Sequence, residues 1–201
     1  MTIGIYFVTP PGAPDQLIMA AVRGGVSMVQ LRDKRASDSA LIARARRLAP
    51  PLAAAGVQLI VNDRLAVALA VPGIGLHIGQ SDGCPRAARG RLGRKAHLGL
   101  SIENADQLAA IPPSTVDLIG VGPVRTTASK PDHAPPIGFD DLARITAASP
   151  VPAVAIGGIG AGDMARIRAA GCTGAAVMSA IAGARDPEAA ARNLVQEWRQ
   201  S

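Results

Sequence analysis

Apolar runs that stop abruptly at polar or glycine clusters recur along this chain and narrow its folding options sharply. Val29-Gln30-Leu31 runs into Arg32-Asp33-Lys34, Leu59-Ile60-Val61 into Asn62-Asp63, and Leu76-His77-Ile78 into Gly79-Gln80-Ser81-Asp82. Ile119-Gly120-Val121 runs into Gly122-Pro123, with Thr126, Thr127, Ser129 and Lys130 close behind. Val154-Ala155-Ile156 stops at Gly157-Gly158. A continuous apolar run marks a parallel strand buried on both faces. In α/β folds the ligand lies beyond the carboxyl ends of such strands. The stops therefore mark an architecture and a site together.

The pattern predicts strands over Ile3–Thr9, Ser27–Arg32, Val57–Asn62, Gly75–Ile78, Ala96–Ser101, Val116–Val121, Ala153–Gly157 and Gly174–Met178. Between them, a 3.6-residue period predicts helices over Asp15–Arg23, Ser37–Ala55, Arg64–Val71, Pro85–Leu92, Glu103–Ala110, Phe139–Ala148, Gly162–Ala170 and Pro187–Arg199. Ser37 and Asp186 read as N-caps, Pro187 as a first helical residue, and Gly56 as a helix stop. Eight strand–helix units of about 25 residues fit an α/β fold, a single-domain (β/α)8 TIM barrel over residues 1–201. A doubly wound open sheet alternates in the same way, but it gathers its ligand at one switch point. Here nearly every strand ends in polar residues, and no Gly-x-Gly-x-x-Gly follows the first strand. The Pro-rich stretch from Ser129 to Gly138 reads as a loop, not a boundary.

A net charge of +6 raises nucleic acid as a partner. Its distribution argues otherwise. Lys34, Lys95 and Lys130 are the only lysines, and the arginines scatter along the helices. Aromatic residues make up 2% of the chain, too few for base-stacking platforms. No apolar stretch approaches the ~18 residues of a membrane span. Met1 to Pro14 lacks the basic and apolar regions of a secretory signal, so a cytoplasmic location is expected. Cys84 and Cys172 show no metal-type spacing and are expected to be reduced.

Gln30, Arg32 and Lys34 follow a period of two. On a strand they share one face, opposite Val29 and Leu31. An amide, a guanidinium and an ammonium aimed into a barrel mouth suit an anion, phosphate above all; salt-bridged charges at a solvated strand end are the alternative. Asp63 and Asp82 end successive strands. They either cap the following helices or, converging beside phosphates, hold Mg²⁺. Thr127, Ser129 and Lys130 form a phosphate-binding loop or an ordinary polar turn. Gly157-Gly158 and Met178-Ser179 fall where this fold commonly binds phosphate, at the ends of strands seven and eight. His77 lies within an apolar strand and reads as a core residue. His97 and His133 show no partner. No Ser/His/Asp or Cys/His arrangement is legible, which disfavours covalent catalysis.

In this order and spacing the blocks resemble the thiamine-phosphate synthase family across nearly the whole chain. They are Tyr6-Phe7-Val8-Thr9, Val29 to Lys34, Val61-Asn62-Asp63-Arg64, Gly75 to Asp82, Gly120-Val121-Gly122-Pro123, Thr127-Ala128-Ser129-Lys130-Pro131, Ile156-Gly157-Gly158-Ile159 and Ser179-Ala180-Ile181. The resemblance implies a Mg²⁺-assisted transferase that joins an aminopyrimidine diphosphate to a thiazole phosphate and releases diphosphate. It puts Gln30, Arg32, Lys34, Asn62 and Lys130 at the pyrimidine diphosphate and Ser101 at the reacting pyrimidine. Thr127, Ala128, Ser129, Gly158, Met178 and Ser179 go to the thiazole phosphate, and Leu31, Asp33 and Gly157 are counted with the substrate-binding residues. Arg32, Lys34, Ser101 and Lys130 are the implied catalytic groups, and Asp63 and Asp82 the metal ligands. The partners are then small molecules, and a homodimer stays open. The chain departs from the family at Asp33, usually glutamate, and at Arg125 and Thr126, usually an aromatic and a proline. It also carries Glu103 where relatives commonly have histidine. Thiazole tautomerases of the same fold depend on that histidine, so an isomerase of that kind is the second reading. A non-catalytic binder of thiamine precursors is the third.

Overall fold

The computed structural model describes residues 3–127 and 135–201. Among them, eight parallel strands close a barrel in sequence order. They are β1 (Gly4–Val8), β2 (Met28–Leu31), β3 (Gln58–Asn62), β4 (Gly75–Ile78), β5 (Leu98–Ile102), β6 (Leu118–Val121), β7 (Ala153–Ile156) and β8 (Gly174–Val177). Around them run α1 (Asp15–Arg23), α2 (Asp38–Ala54), α3 (Leu65–Ala70), α4 (Pro85–Leu92), α5 (Ala105–Ala109), α6 (Gly138–Ala148) and α7 (Met164–Ala169). A short α8 (Ser179–Ala182) and α9 (Pro187–Gln200) close the chain. The barrel expected from the alternation is the one formed. No described helix is long and apolar enough to cross a membrane.

Local chemistry fixes the helix starts. Ser37 accepts a bond from the Ala40 N–H at 3.2 Å, and Asp186 from the Ala189 N–H at 3.0 Å, so both expected caps are made. β5 and β6 begin two residues later than expected, and one side chain accounts for both shifts. Arg89 on α4 donates to the carbonyls of Ala96 at 2.7 Å and Thr115 at 2.8 Å, and to Asp117 at 2.5 Å. Asp117 in turn accepts from the Leu98 N–H at 2.8 Å. The guanidinium takes over backbone groups that would otherwise extend the strands.

Apolar residues fall into two layers. The larger fills the space between strands and helices, with Phe7, Val29, Leu31, Val61, Leu76 and Ile119 among its members. The smaller, including Tyr6, Met28, Ile60, Leu118 and Val154, plugs the barrel from within. Registered partners on parallel strands share a face, so the pairs Gln30↔Ile60, Asn62↔His77, His77↔Gly99 and Ser101↔Gly120 all point inward. Two of these positions are glycine for a steric reason. A Cβ on Gly99 would lie 2.3 Å from His77 Nδ1, and one on Gly120 3.3 Å from its Cε1. The missing side chains leave the room that the imidazole occupies.

Candidate active site

The carboxyl ends of the strands surround a cavity of about 360 Å³. Gln30, Arg32 and Lys34 all line it, as their period of two requires. Gln30 is buried and donates to the Tyr6 hydroxyl at 2.7 Å. The Arg32 N–H donates to buried Thr9 Oγ1 at 3.0 Å. The Lys34 carbonyl accepts from Arg64 Nη2 at 3.2 Å, and Arg64 also pairs with Asp38. The backbone around the two cations is thus tied down. Among the described residues, no ion pair engages the Arg32 guanidinium or the Lys34 ammonium.

Asp63 and Asp82 converge within reach of the Lys34 charge. Asp63 adopts φ +62°, an uncommon left-handed conformation for a residue with a side chain. Its N–H donates to the His77 carbonyl at 2.8 Å. That turn at the end of β3 aims its carboxyl at Asp82. Burial, then the facing Asp82, push the Asp63 carboxyl up to about 6, while Lys34 and Asn62 pull the other way. Asp82 accepts from the Gly79 N–H at 2.8 Å. Two crowded acids facing a cation-lined cavity make an oxygen-only set. Among the described residues no group of three or more His, Cys, Asp or Glu side chains gathers. A two-carboxylate set suits Mg²⁺, which usually takes one or two protein carboxylates and completes its shell from water and phosphate.

His77 proves to belong to the cavity wall as well as to the core. Its Nε2 lies 3.1 Å from Ser101 Oγ, and the Ser101 carbonyl accepts from Gln80 Nε2 at 2.6 Å. Tyr6, His77 and Gln80 all line the cavity; none had been given a role from sequence, although Gln80 lies in one of the polar stops that mark the site. For His77 a signal existed in the interior glycines opposite it, Gly99 and Gly120.

Burial, aided by His97 and opposed by Asp82, pushes the His77 imidazole down to about 4. The unfolded chain therefore takes up a proton between pH 6.5 and 4 that the folded chain refuses. His77 contributes stability that is full above pH 6.5 and is lost as pH falls toward 4. The loss is expected to reach about 3 kcal/mol between pH 7 and pH 4, at ~1.4 kcal/mol per unit. Asp63 acts in the opposite sense, because its raised pKa favours the folded state at low pH. Urea unfolding of wild type and His77→Asn at both pH values isolates the histidine. The variant is expected to lose that part of the acid sensitivity, and an unchanged pH dependence would contradict the assignment.

Other expected site residues divide. Asn62, Asp63, Asp82, Ser101, Thr127, Gly157, Gly158, Met178 and Ser179 line the cavity. Leu31 and Asp33, expected at the substrate, do not. Leu31 points the other way, into the layer beneath the helices. Asp33 accepts from the N–H groups of Gly12 at 3.0 Å, Arg35 at 3.0 Å and Ala36 at 3.2 Å, shaping the loop behind the cations. Ala128, Ser129 and Lys130, with His133, lie outside the described residues. On the opposite wall, α8 begins at Ser179 beside Gly157 and Gly158, and a helix start offers unpaired N–H groups. The cavity thus has one flank of cations and carboxylates and another of glycines, a helix start and the Thr127 hydroxyl.

A family model described as thiamine monophosphate synthase matches residues 5–181. A thiamine-phosphate synthase from Xanthobacter autotrophicus is 46% identical over 195 residues, covering 94% of this chain and 92% of the relative. One from a Psychrobacter species is 44% identical over 185 residues, 90% of this chain and 86% of the relative. A bifunctional ThiM/ThiE protein from Symbiobacterium thermophilum is 40% identical over 199 residues, and this chain spans 42% of its length. Among solved structures, a thiamine phosphate pyrophosphorylase from Pyrococcus furiosus matches with a TM-score of 0.89 at 26% identity. That match covers 98% of this chain and 96% of the other.

Proposed function

Because the chain belongs to the thiamine monophosphate synthase family, we propose that its barrel mouth joins an aminopyrimidine diphosphate to a thiazole phosphate, giving thiamine phosphate and diphosphate. The observation that carries the reading is the meeting of two cations that make no ion pair among the described residues, Arg32 and Lys34, with two convergent carboxylates, Asp63 and Asp82, around one cavity. A lone phosphate needs no carboxylates nearby. A diphosphate with a divalent cation uses both.

In this reading Gln30, Arg32, Lys34 and Asn62 hold the pyrimidine diphosphate. Lys130 joins them on the strength of its sequence block. Thr127, Gly157, Gly158, Met178 and Ser179 hold the thiazole phosphate, with Ala128 and Ser129 added on the same sequence ground. Mg²⁺ held by Asp63 and Asp82 would offset the charge that builds on the departing diphosphate. Arg32 and Lys34 stabilise the same charge from the other side. The C–O bond at the pyrimidine methylene breaks, and its electron pair leaves with the diphosphate. The thiazole nitrogen then supplies the pair for the new C–N bond, and the positive charge comes to rest on the thiazolium ring. No protein nucleophile is required. Ser101 touches the reacting pyrimidine, oriented by His77 and Gln80. Burial keeps His77 uncharged near neutral pH. It therefore sets no positive charge beside the cation that forms.

The Xanthobacter and Psychrobacter relatives are thiamine-phosphate synthases, which leaves the tautomerase-like isomerase and the non-catalytic binder without support. Small phosphorylated substrates and two unpaired cysteines suit the cytoplasm, where we place the reaction. Titration calorimetry tests the division of the cavity. The pyrimidine diphosphate is expected to bind at least ~10-fold more tightly with Mg²⁺ than with chelator, a gain of about 1.4 kcal/mol. Thiazole phosphate binding is expected to ignore the metal. Metal-independent binding of the diphosphate would contradict the proposal.

A further inference from the structure

Arg125 makes a two-pronged ion pair just outside the cavity. Its Nη1 and Nη2 donate to Asp163 Oδ2 and Oδ1, each at 2.6 Å. The Asp163 side chain is 8% exposed, and it also accepts from the Gly160 N–H at 3.0 Å. Arg125 is not among the residues that line the cavity. The pair lies where the loops after β6 and β7 run side by side. The Val124 N–H donates to the Ile156 carbonyl at 2.9 Å, and the Arg125 N–H to the Gly157 carbonyl at 3.0 Å. The approach is close enough to demand glycine. A Cβ on Gly157 would fall 2.5 Å from Pro123 Cβ, and one on Gly158 2.7 Å from Arg125 Cβ, with φ at +93° and +67°.

The chain returns to the same point before α6. The Ile137 N–H donates to the Pro123 carbonyl at 2.9 Å, and the Gly138 N–H to the Val124 carbonyl at 3.1 Å. Phe139 on α6 then meets the guanidinium groups of Arg125 at 5.0 Å and Arg166 at 3.9 Å from its ring centre. Arg125 therefore connects the loop bearing Thr127, the loop bearing Gly157 and Gly158, and the starts of α6 and α7. The elements carrying Arg32, Lys34, Asp63 and Asp82 make no described contact with it.

We propose that the Arg125–Asp163 pair is a positioning device for one half of the site, setting the Thr127 loop against Gly157 and Gly158 at the thiazole phosphate. This rests on the functional reading above. A forked guanidinium–carboxylate pair fixes both distance and plane. Lysine keeps the charge but not the fork. Loss of either partner shifts one loop relative to the other, and a misplacement of ~1 Å can cost up to ~100-fold in rate.

Steady-state kinetics with each substrate varied at saturation of the other test the idea. Arg125→Gln, Arg125→Lys and Asp163→Asn are each expected to raise KM for the thiazole phosphate by roughly tenfold, within the range that such misplacement allows. KM for the pyrimidine diphosphate is expected to stay within about twofold, and the double variant to be little worse than either single one. Arg125→Lys keeps the positive charge opposite Asp163 and is the variant that best preserves folding. Equal shifts in both KM values, additive effects, or a lower Tm with both KM values unchanged would overturn the positioning role alone. A wild type that makes no thiamine phosphate would overturn the functional reading and this inference with it.

Discussion

Asp63→Asn is expected to lower turnover by at least ~100-fold while making the ligand-free protein more stable at neutral pH. The activity loss follows from removing one of two carboxylates that would hold the charge-offsetting metal, a loss comparable to deleting a transition-state donor. The stability gain follows from the raised carboxyl. Asp63 sits half-buried against Asp82, and its pKa of about 6 means the folded state resists its ionisation. The penalty is absent below the unfolded value of 3.8, grows between pH 3.8 and about 6, and is full above that. Asparagine removes the charge and tolerates the φ of +62° better than most residues, so backbone strain does not confuse the result. Without metal, the variant is expected to melt higher than wild type at pH 7.5 and alike near pH 4. With saturating Mg²⁺ the wild type is expected to gain stability and the variant little, reversing their order. Asp82→Asn is expected to lose activity similarly. Wild-type Mg²⁺ dependence of rate in both variants would refute the metal assignment.

Arg32→Ala and Lys34→Ala are each expected to reduce kcat/KM for the pyrimidine diphosphate by roughly 100- to 1,000-fold, the range seen when one preorganised charge donor is lost. Among the described residues neither side chain makes an ion pair, so little structural support is lost with either. Stability is expected to change by less than about 1 kcal/mol for half-buried Arg32 and exposed Lys34. Arg32→Lys tests geometry against charge, since an ammonium cannot grip two oxygens in the plane of a fork. It is expected to recover part of the loss and not all of it. The measurement is kcat/KM for each substrate separately. A loss that falls equally on thiazole phosphate binding would contradict the division of the cavity into two flanks.

The architecture was legible because alternation and strand-end polarity are local signals. The inward direction of Gln30, Arg32 and Lys34 follows from their period alone, and the cavity lining agrees. The same parity argues against Leu31 and Asp33, which the family resemblance had carried along with their neighbours. Asp63 and Asp82 were visible as acids at strand ends. Their convergence was not, because it depends on barrel closure and on the left-handed turn at Asp63. His77 was taken for core because an apolar strand surrounds it. Its place opposite Gly99 is a matter of register, which single strands do not reveal. Arg125 looked like a simple departure from the family pattern. Its partner Asp163 lies 38 residues away and comes alongside only when β6 and β7 are neighbours. The starts of β5 and β6 were misjudged because Arg89 captures backbone carbonyls that apolar periodicity assigns to strands.

The central claim is that one cavity binds a pyrimidine diphosphate with Mg²⁺ on one flank and a thiazole phosphate on the other, and couples them. Incubating the purified protein with both substrates, with and without chelator, tests it most directly. Thiamine phosphate and diphosphate are expected in equal amounts, only when both substrates and Mg²⁺ are present. No product at high enzyme concentration, or product formation that survives chelation, would contradict the account.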